Sequence, residues 1–284
     1  WTVEALFHDD KSRKDFTAKY YGKTGKDDEL PNSAEANAVL EELKNTEFKV
    51  KSVKRGELKK NPPPPFTTST LQQDASRKIN FSASKTMQTA QMLYEGVNIG
   101  KRGTIGLITY MRTDSLRIAE DAQRDAEVFL RENYGDEYVH IRQYKAKKNA
   151  QDAHEAIRPT DISIKPIEVK EHLTNDQYKL YKLIWERFAA SQMSAAIYNT
   201  INASIESNGH IFKASGSSIK FKGFMSVYVE GTDKAKEKEK MLPNLEEGQN
   251  VTLKNLDTKQ HFTQPPARFS EASLVKELEE NGIG

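Results

Sequence analysis

Four consecutive prolines, at positions 62–65 in "NPPPPF", set the strongest limit on how this chain can fold. Proline lacks an amide hydrogen and has a fixed φ. Four in a row can neither continue a helix nor join the ladder of a central strand, so they form a stiff, extended connection. The hydrophobic pattern differs on its two sides. Before it, "TVEALF" (2–7), "DFTAKYYG" (15–22) and "EFKVKSVKRGEL" (47–58) alternate or carry β-formers between turn residues, which predicts strands. One helix interrupts them at about 33–45. There Asn32 and Glu35 have capping-box spacing, and Ala36, Val39, Leu40 and Leu43 share a face.

After the prolines the pattern turns helical. Leu71, Ala75 and Ile79 recur every four residues. Met87, Ala90 and Tyr94 form a second stripe closed by Gly96. Residues 115–134 place Ile118, Ala122, Ala126, Phe129 and Leu130 on one face. The segment 174–196 opens on a Thr174/Gln177 capping box and aligns Tyr181, Ile184, Trp185 and Phe188. These aromatic stripes read as core, not as a cofactor site. From about 197 the period returns to two, in 198–207, 210–216, 219–231 and 249–257. A charge run at 232–240 reads as a solvated loop. A last helix begins at Ser270 and carries Leu274, Val275 and Leu278. This order predicts a multidomain α+β chain, with a helical domain inserted into a β-rich one. The crossings fall at 62–65 and near 195–198, and a two-strand hinge there would let the helical part move as a body.

Composition narrows the functional classes. Of 284 residues 36% are hydrophobic and 30% charged, which is enough for a core under a very polar surface. No apolar run is long enough to span a membrane, and the start, "WTVEALFHDD", has no signal-peptide pattern. It also lacks an initiating methionine, which reads as an internal piece of a longer protein. The absence of cysteine excludes disulfides and thiolate metal sites within the chain, and suits a cytoplasmic protein. A net charge of +2 is too small to argue nucleic-acid binding. Two stretches, 49–61 and 140–149, are locally basic, and on charge alone they are solvated strand faces.

Two motifs carry chemistry. In "GLITYMRTDS" (106–115), an apolar stretch read as a strand over 106–109 runs into Tyr110, with Arg112 two residues later and a helix start at Asp114 or Ser115. A tyrosine at a strand end is usually packing. Here a guanidinium can grip a phosphate in two places, a capped helix N-terminus favours an anion, and Gly103 and Gly106 allow close approach. The phenol's reference pKa of about 10 makes it a weak nucleophile that needs cationic help. The second motif is "QDAHEAIRPTD" (151–161). A zinc motif would need histidine where Arg158 stands, so a metal site is rejected. If this stretch is helical, His154 and Arg158 share a face. It is then either a helix end laced by a salt bridge or a second phosphate-facing cluster, with Arg158 as clamp and His154 as proton carrier or hydrogen-bond donor.

"ITYMRTDS" and "AHEAIRPTD", in this order, resemble the two signature stretches of type IA DNA topoisomerases, bacterial topoisomerase I in particular. "PPPPFTTSTLQQDASRK" (62–78) and "PPARFSEASLVKELEENGIG" (265–284) resemble further family segments. The resemblance implies that Tyr110 attacks a backbone phosphate of single-stranded DNA and keeps the 5′-phosphoryl end as a phosphotyrosine. Strand passage and religation then relax negatively supercoiled DNA without ATP. By the same resemblance Arg112 holds the scissile phosphate and His154 lies beside the reacting groups. Thr109, Asp114, Glu155 and Arg158 build or support the DNA-binding pocket, and Arg268 contacts DNA. The implied architecture is part of a toroid: a β-rich arch (1–69 and 197–264), an inserted helical gate carrying the tyrosine (70–196), and the start of a return into a single-strand-binding domain (265–284).

The resemblance also implies Mg²⁺ bound by an acidic Toprim domain. No Asp-x-Asp triplet occurs here, and Asp9–Asp10 and Asp27–Asp28 are adjacent pairs in what read as exposed turns. No metal is therefore expected in this chain, and the isolated chain is expected to be inactive. C-terminal zinc modules are not expected within a chain without cysteine. The other expectations are a monomer, DNA as partner, no membrane, and a cytoplasmic, nucleoid-associated location. The rival readings are a decatenating family member or reverse gyrase, and a catalytically silent DNA- or partner-binding module.

Overall fold

Six antiparallel strands close into a barrel in the order β1-β2-β7-β6-β3-β8. They are β1 (Thr2–Asp9), β2 (Lys14–Lys23), β3 (Phe48–Lys60), β6 (Ala196–Ser207), β7 (His210–Phe221) and β8 (Asn250–Lys259). The computed structural model describes residues 1–23, 29–144, 154–231 and 241–283. Asp27, Asp28, the charge run 232–240, positions 145–149 of the second basic stretch, and positions 151–153 at the head of the second motif lie outside them.

Period-two patterning builds the barrel. Along β1 every second side chain, Val3, Ala5 and Phe7, points inward and is buried. Phe7 meets Phe16, Phe48 and Phe212 at ring-centroid distances of 5.6, 5.1 and 6.0 Å. Truncating one such ring to alanine costs about 3–5 kcal/mol. Helix α1 (Ser33–Glu42) adds Ala36, Val39 and Leu43 to the same core. Its N-cap Asn32 accepts from the Glu35 amide, as the spacing predicts. Asp9 departs from its reading as part of an exposed turn. It is buried, and it accepts from the Lys11 and Ser12 amides, the Ser12 hydroxyl and Gln249. Burial alone would raise its pKa, but these donors together hold the carboxyl below its ordinary value.

The described residues divide into two units. One holds those of 1–59, 197–220 and 241–266, the other those of 60–196, 221–231 and 267–283. The second unit contains α2 (Thr68–Ile79), α3 (Ala83–Glu95), α4 (Glu120–Tyr134), α5 (Asn175–Ser191) and α6 (Glu271–Glu280), with a two-stranded sheet of β4 (Val97–Asn98) and β5 (Thr104–Ile105). Helix α5 opens with the Thr174/Gln177 capping box and buries Tyr181, Ile184, Trp185 and Phe188. Two of these keep their polar ends satisfied: Tyr181 donates to the Ile164 carbonyl (2.8 Å) and Trp185 to that of Ile162 (2.9 Å). Helix α2 packs against α3, α5 and α6. No helix among the described residues is long and apolar enough to cross a membrane.

Four expectations are corrected. The stretch 219–231 is not one strand. β7 ends at Phe221, and a 3-10 turn over Gly223–Ser226 follows. Gly223 has φ +48°, and a Cβ there would lie 2.5 Å from the carbonyl oxygens of Ser194 and Ala195. Buried Phe224 and Tyr228 stand four apart, so the apparent alternation is not that of a sheet. The helix expected over 115–134 begins only at Glu120, and its N-cap, Ala119, has no side-chain capping bond. The stretch 106–109 is not a strand: β5 stops at Ile105, and only an isolated bridge between Ile108 and Pro159 follows. In α3 the buried face is Thr86, Thr89, Ala90 and Leu93, while Tyr94 is exposed.

Candidate active site

Three chain segments are knitted together around Tyr110 by single bridges and side-chain bonds. Phe66 pairs with Ile157, and Ile108 with Pro159. The Thr160 amide donates to the Leu107 carbonyl (3.0 Å) and the Thr109 amide to that of Arg158 (3.0 Å). Thr109 reinforces this contact, since its hydroxyl donates to the Ala156 carbonyl (2.7 Å) and accepts from the Arg158 amide (3.0 Å). At the other end the Thr68 hydroxyl donates to the Met111 carbonyl (2.7 Å) and accepts from the Thr113 amide (2.9 Å). The end of α3 abuts the same segment. Leu107 donates to the Leu93 carbonyl (2.8 Å), and a Cβ on Gly106 would sit 2.5 Å from the Tyr94 carbonyl oxygen. Glycine at 106 is thus required for the close approach.

Tyr110 emerges from this buried framework. Leu107, Ile108 and Met111 around it are at most 1% exposed, whereas Tyr110 is 39% exposed. Its ring is held from two sides. Tyr94 packs edge-on at 5.5 Å and 66°, and His154 lies at 5.7 Å with a tilt of 46°. Among the described residues its hydroxyl has no hydrogen-bond partner. Arg112 and Asp114 are exposed, and neither has an ion pair or side-chain bond among the described residues. The result is an accessible phenol of fixed ring orientation, with an unengaged guanidinium two residues away.

The described part of the second motif, 154–161, is not a helix, so His154 and Arg158 do not share a helical face. Arg158 donates through Nε (2.9 Å) and Nη2 (2.6 Å) to the Glu155 carboxylate, and through Nη1 to the Pro159 carbonyl (3.0 Å). Both side chains are largely buried. Glu155, Arg158 and Thr109 therefore turn their polar groups toward one another and toward the backbone. The His154 ring packs against the Tyr110 ring. Arg268 is exposed ahead of α6 and has no partner among the described residues.

The helix cap expected at Asp114 or Ser115 is absent. Ser115 instead donates its amide to the Thr113 hydroxyl (3.0 Å) and accepts the Arg117 amide (3.2 Å), closing two short turns. The segment after Tyr110 thus offers no helix N-terminus to an anion, and Arg112 is the local cation. Sequence reasoning also missed Tyr94 and Thr68. Tyr94 falls in the apolar stripe of Met87, Ala90 and Tyr94 and so reads as core. Thr68 lies in "FTTST", where the visible signal is the Thr67/Thr70 capping box. Among the described residues no group of three His, Asp or Glu side chains converges as a metal-binding cluster would.

Residues 1–284 match the family model described as DNA topoisomerase. The structure of full-length topoisomerase I from Thermotoga maritima resembles the chain with a TM-score of 0.78 at 36% sequence identity, covering 100% of this chain and 44% of that one. The chain spans less than half the length of that protein. It belongs to the DNA topoisomerase family, in its bacterial type IA branch.

Proposed function

We propose that this chain is the strand-cleaving part of a type IA topoisomerase that relaxes negatively supercoiled DNA without ATP, with Tyr110 as nucleophile. The Tyr110 oxygen attacks a backbone phosphorus of single-stranded DNA. The new Tyr–O–P bond replaces the bond to the 3′-oxygen, which leaves as a hydroxyl after gaining a proton. The phenol loses its proton in the same step. Religation is the reverse, with the 3′-hydroxyl attacking and the phenol restored. Because the phosphodiester energy is stored in the phosphotyrosine, no nucleotide is consumed.

The observation that carries this reading is the pairing of an exposed, unbonded phenol with an unengaged guanidinium on a backbone held by buried neighbours. Arg112 would bind the non-bridging phosphate oxygens, and its charge would stabilise what develops on them in the transition state. His154, whose ring lies against that of Tyr110, would hydrogen-bond the reacting groups. Thr109, Glu155 and Arg158 would hold the pocket's shape, and Asp114 and Arg268 would lie along the DNA. The barrel would be the arch and the helical unit the gate, linked through the proline segment. Mg²⁺ would be held by a Toprim domain outside this chain and would supply charge neutralisation at the phosphate. The isolated chain would then show no turnover. The protein would work as a monomer in the cytoplasm, at the nucleoid.

The test is relaxation of negatively supercoiled plasmid and cleavage of labelled single-stranded DNA by the intact protein and by Tyr110→Phe. Loss of cleavage with retained DNA binding is expected. Undiminished relaxation by Tyr110→Phe would rule out Tyr110 as the nucleophile, and the absence of any covalent DNA adduct on this chain would leave the silent binding module as the better reading.

A further inference from the structure

Thr68 is the first residue of α2, so its amide has no partner within the helix. That amide donates to the Thr113 carbonyl at 2.9 Å. Its hydroxyl donates to the Met111 carbonyl at 2.7 Å, with the Thr113 carbonyl at 3.1 Å, and accepts from the Thr113 amide at 2.9 Å. Residues 111 and 113 flank Arg112. One threonine thus fixes the backbone on both sides of an arginine whose own side chain has no partner among the described residues. Both flanking residues are buried, at 1% and 7% exposure, while Arg112 projects outward.

The neighbouring threonine has a different task. Thr67 closes the capping box with Thr70 and so starts the helix. The helix does not need the Thr68 hydroxyl, which is turned away from it and used as donor and acceptor on the loop. Valine has the shape of threonine but neither function; serine has both.

We infer that Thr68 is a positioning residue for DNA cleavage, holding the Arg112 guanidinium at a fixed place relative to the Tyr110 phenol. This rests on the roles given above to Tyr110 and Arg112. Displacing one group by about 1 Å can slow a positioned reaction about a hundredfold, because a charge that must find its place during the reaction stabilises the transition state less. Substrate binding, spread over many phosphate contacts, is insensitive to this one loop.

The experiment uses the intact topoisomerase. Single-turnover cleavage of a labelled single-stranded oligonucleotide is measured for Thr68→Val, Thr68→Ser, Arg112→Lys and the Thr68→Val/Arg112→Lys double variant. DNA affinity is measured for each change on a Tyr110→Phe background, and thermal midpoints are recorded throughout. Thr68→Val is expected to cleave about 10–100-fold more slowly, with affinity within about twofold of the parent. Thr68→Ser is expected to stay within about threefold of the parental rate, because it keeps the hydroxyl. In the Arg112→Lys background Thr68→Val should slow cleavage by less than about threefold, since it acts through the missing guanidinium. Thr68→Ala takes the place of Thr68→Val if the latter does not fold. A parental rate in Thr68→Val, or the same slowing with and without Arg112, overturns the inference. Cleavage by Tyr110→Phe would instead overturn the reading of the nucleophile, so the two failures are distinguishable.

Discussion

Two tyrosine–arginine neighbourhoods of the helical unit, Tyr228 with Arg187 and Tyr110 with Arg112, differ in almost every physical respect. Tyr228 and Arg187 are buried, at 1% and 3% exposure. The Tyr228 hydroxyl bonds the Asp74 carboxylate and receives Arg187 Nη1 at 2.8 Å. Arg187 also donates to the Pro64 carbonyl (2.6 Å), pairs with Glu230 (3.2 Å) and lies over the Phe66 ring (4.7 Å). Lys78 sits 3.6 Å above the centre of the Tyr228 ring. Burial pushes the Tyr228 phenol far above its ordinary range; Arg187 opposes this and Asp74 adds to it. Tyr110 and Arg112 are exposed, and neither has a polar partner among the described residues. The comparison teaches that adjacency of phenol and guanidinium does not make a reactive site. At Tyr228 every polar group is already engaged, and the cluster binds the segment 221–231 and the proline segment to α2 and α5. At Tyr110 the engaged groups belong to the framework and the free ones face outward.

Removing each phenol's hydroxyl in the intact protein separates the two neighbourhoods most strongly. Tyr110→Phe is expected to lower cleavage on the order of 10⁴-fold or more while leaving the thermal midpoint unchanged. Tyr228→Phe is expected to do the reverse, lowering stability while cleavage by the folded protein continues. Parallel losses of activity in both would erase the distinction.

Asp74→Ala addresses the buried side alone. It leaves Tyr228 and the Gly231 amide without their acceptor and Lys78 without its ion-pair partner, while Arg187 keeps Glu230. Breaking a buried charged network costs about 3–5 kcal/mol, on the order of 10 °C in a melting curve of the helical unit. A change under about 1 kcal/mol would mean that the cluster is better solvated than its burial implies.

Arg112→Lys probes the exposed side. It keeps the charge but loses the planar fork, and cleavage is expected to fall by about 10²–10³-fold with little change in DNA affinity. Equal losses in both would assign Arg112 to binding and not to the transition state.

A smaller effect belongs to the barrel. Asp9 has a carboxyl held below its ordinary pKa in the fold, so its contribution is present above the unfolded value of about 4 and is lost as pH falls through the folded value. Asp9→Asn is expected to destabilise the barrel by about 1–2 kcal/mol at pH 7, with the difference closing at lower pH. Denaturant melts at pH 7 and near pH 2.5 check this, and a pH-independent difference would contradict it.

The sequence made the regular parts of the fold legible wherever local pattern and final packing agree. Alternation marks β1, β2 and β8, and the Asn32/Glu35 and Thr174/Gln177 signals start α1 and α5 where expected. Around the site, local pattern and packing diverge. "GLIT" has the composition of a strand, but its partners are isolated bonds to residues far away in sequence, at 93, 158 and 160. Asp114 and Ser115 look like helix caps, yet Thr113 and Ser115 close short turns and Ala119 precedes α4. The prominence of Tyr110 and Arg112 was legible from residue type and family resemblance. Their exposure against a bonded framework was not, because it depends on Thr68, Tyr94 and His154 arriving from three other segments.

In the proposed reaction Tyr110, and no other phenol, takes up the DNA. Tyr94 is the direct competitor, since it is 41% exposed and its ring touches that of Tyr110. The intact topoisomerase can be quenched with denaturant during cleavage of single-stranded DNA, digested, and the nucleotide-bearing peptide sequenced by mass spectrometry. The account expects the 5′-phosphoryl adduct on Tyr110 alone, and its loss in Tyr110→Phe. An adduct on Tyr94 or on any other residue would contradict it.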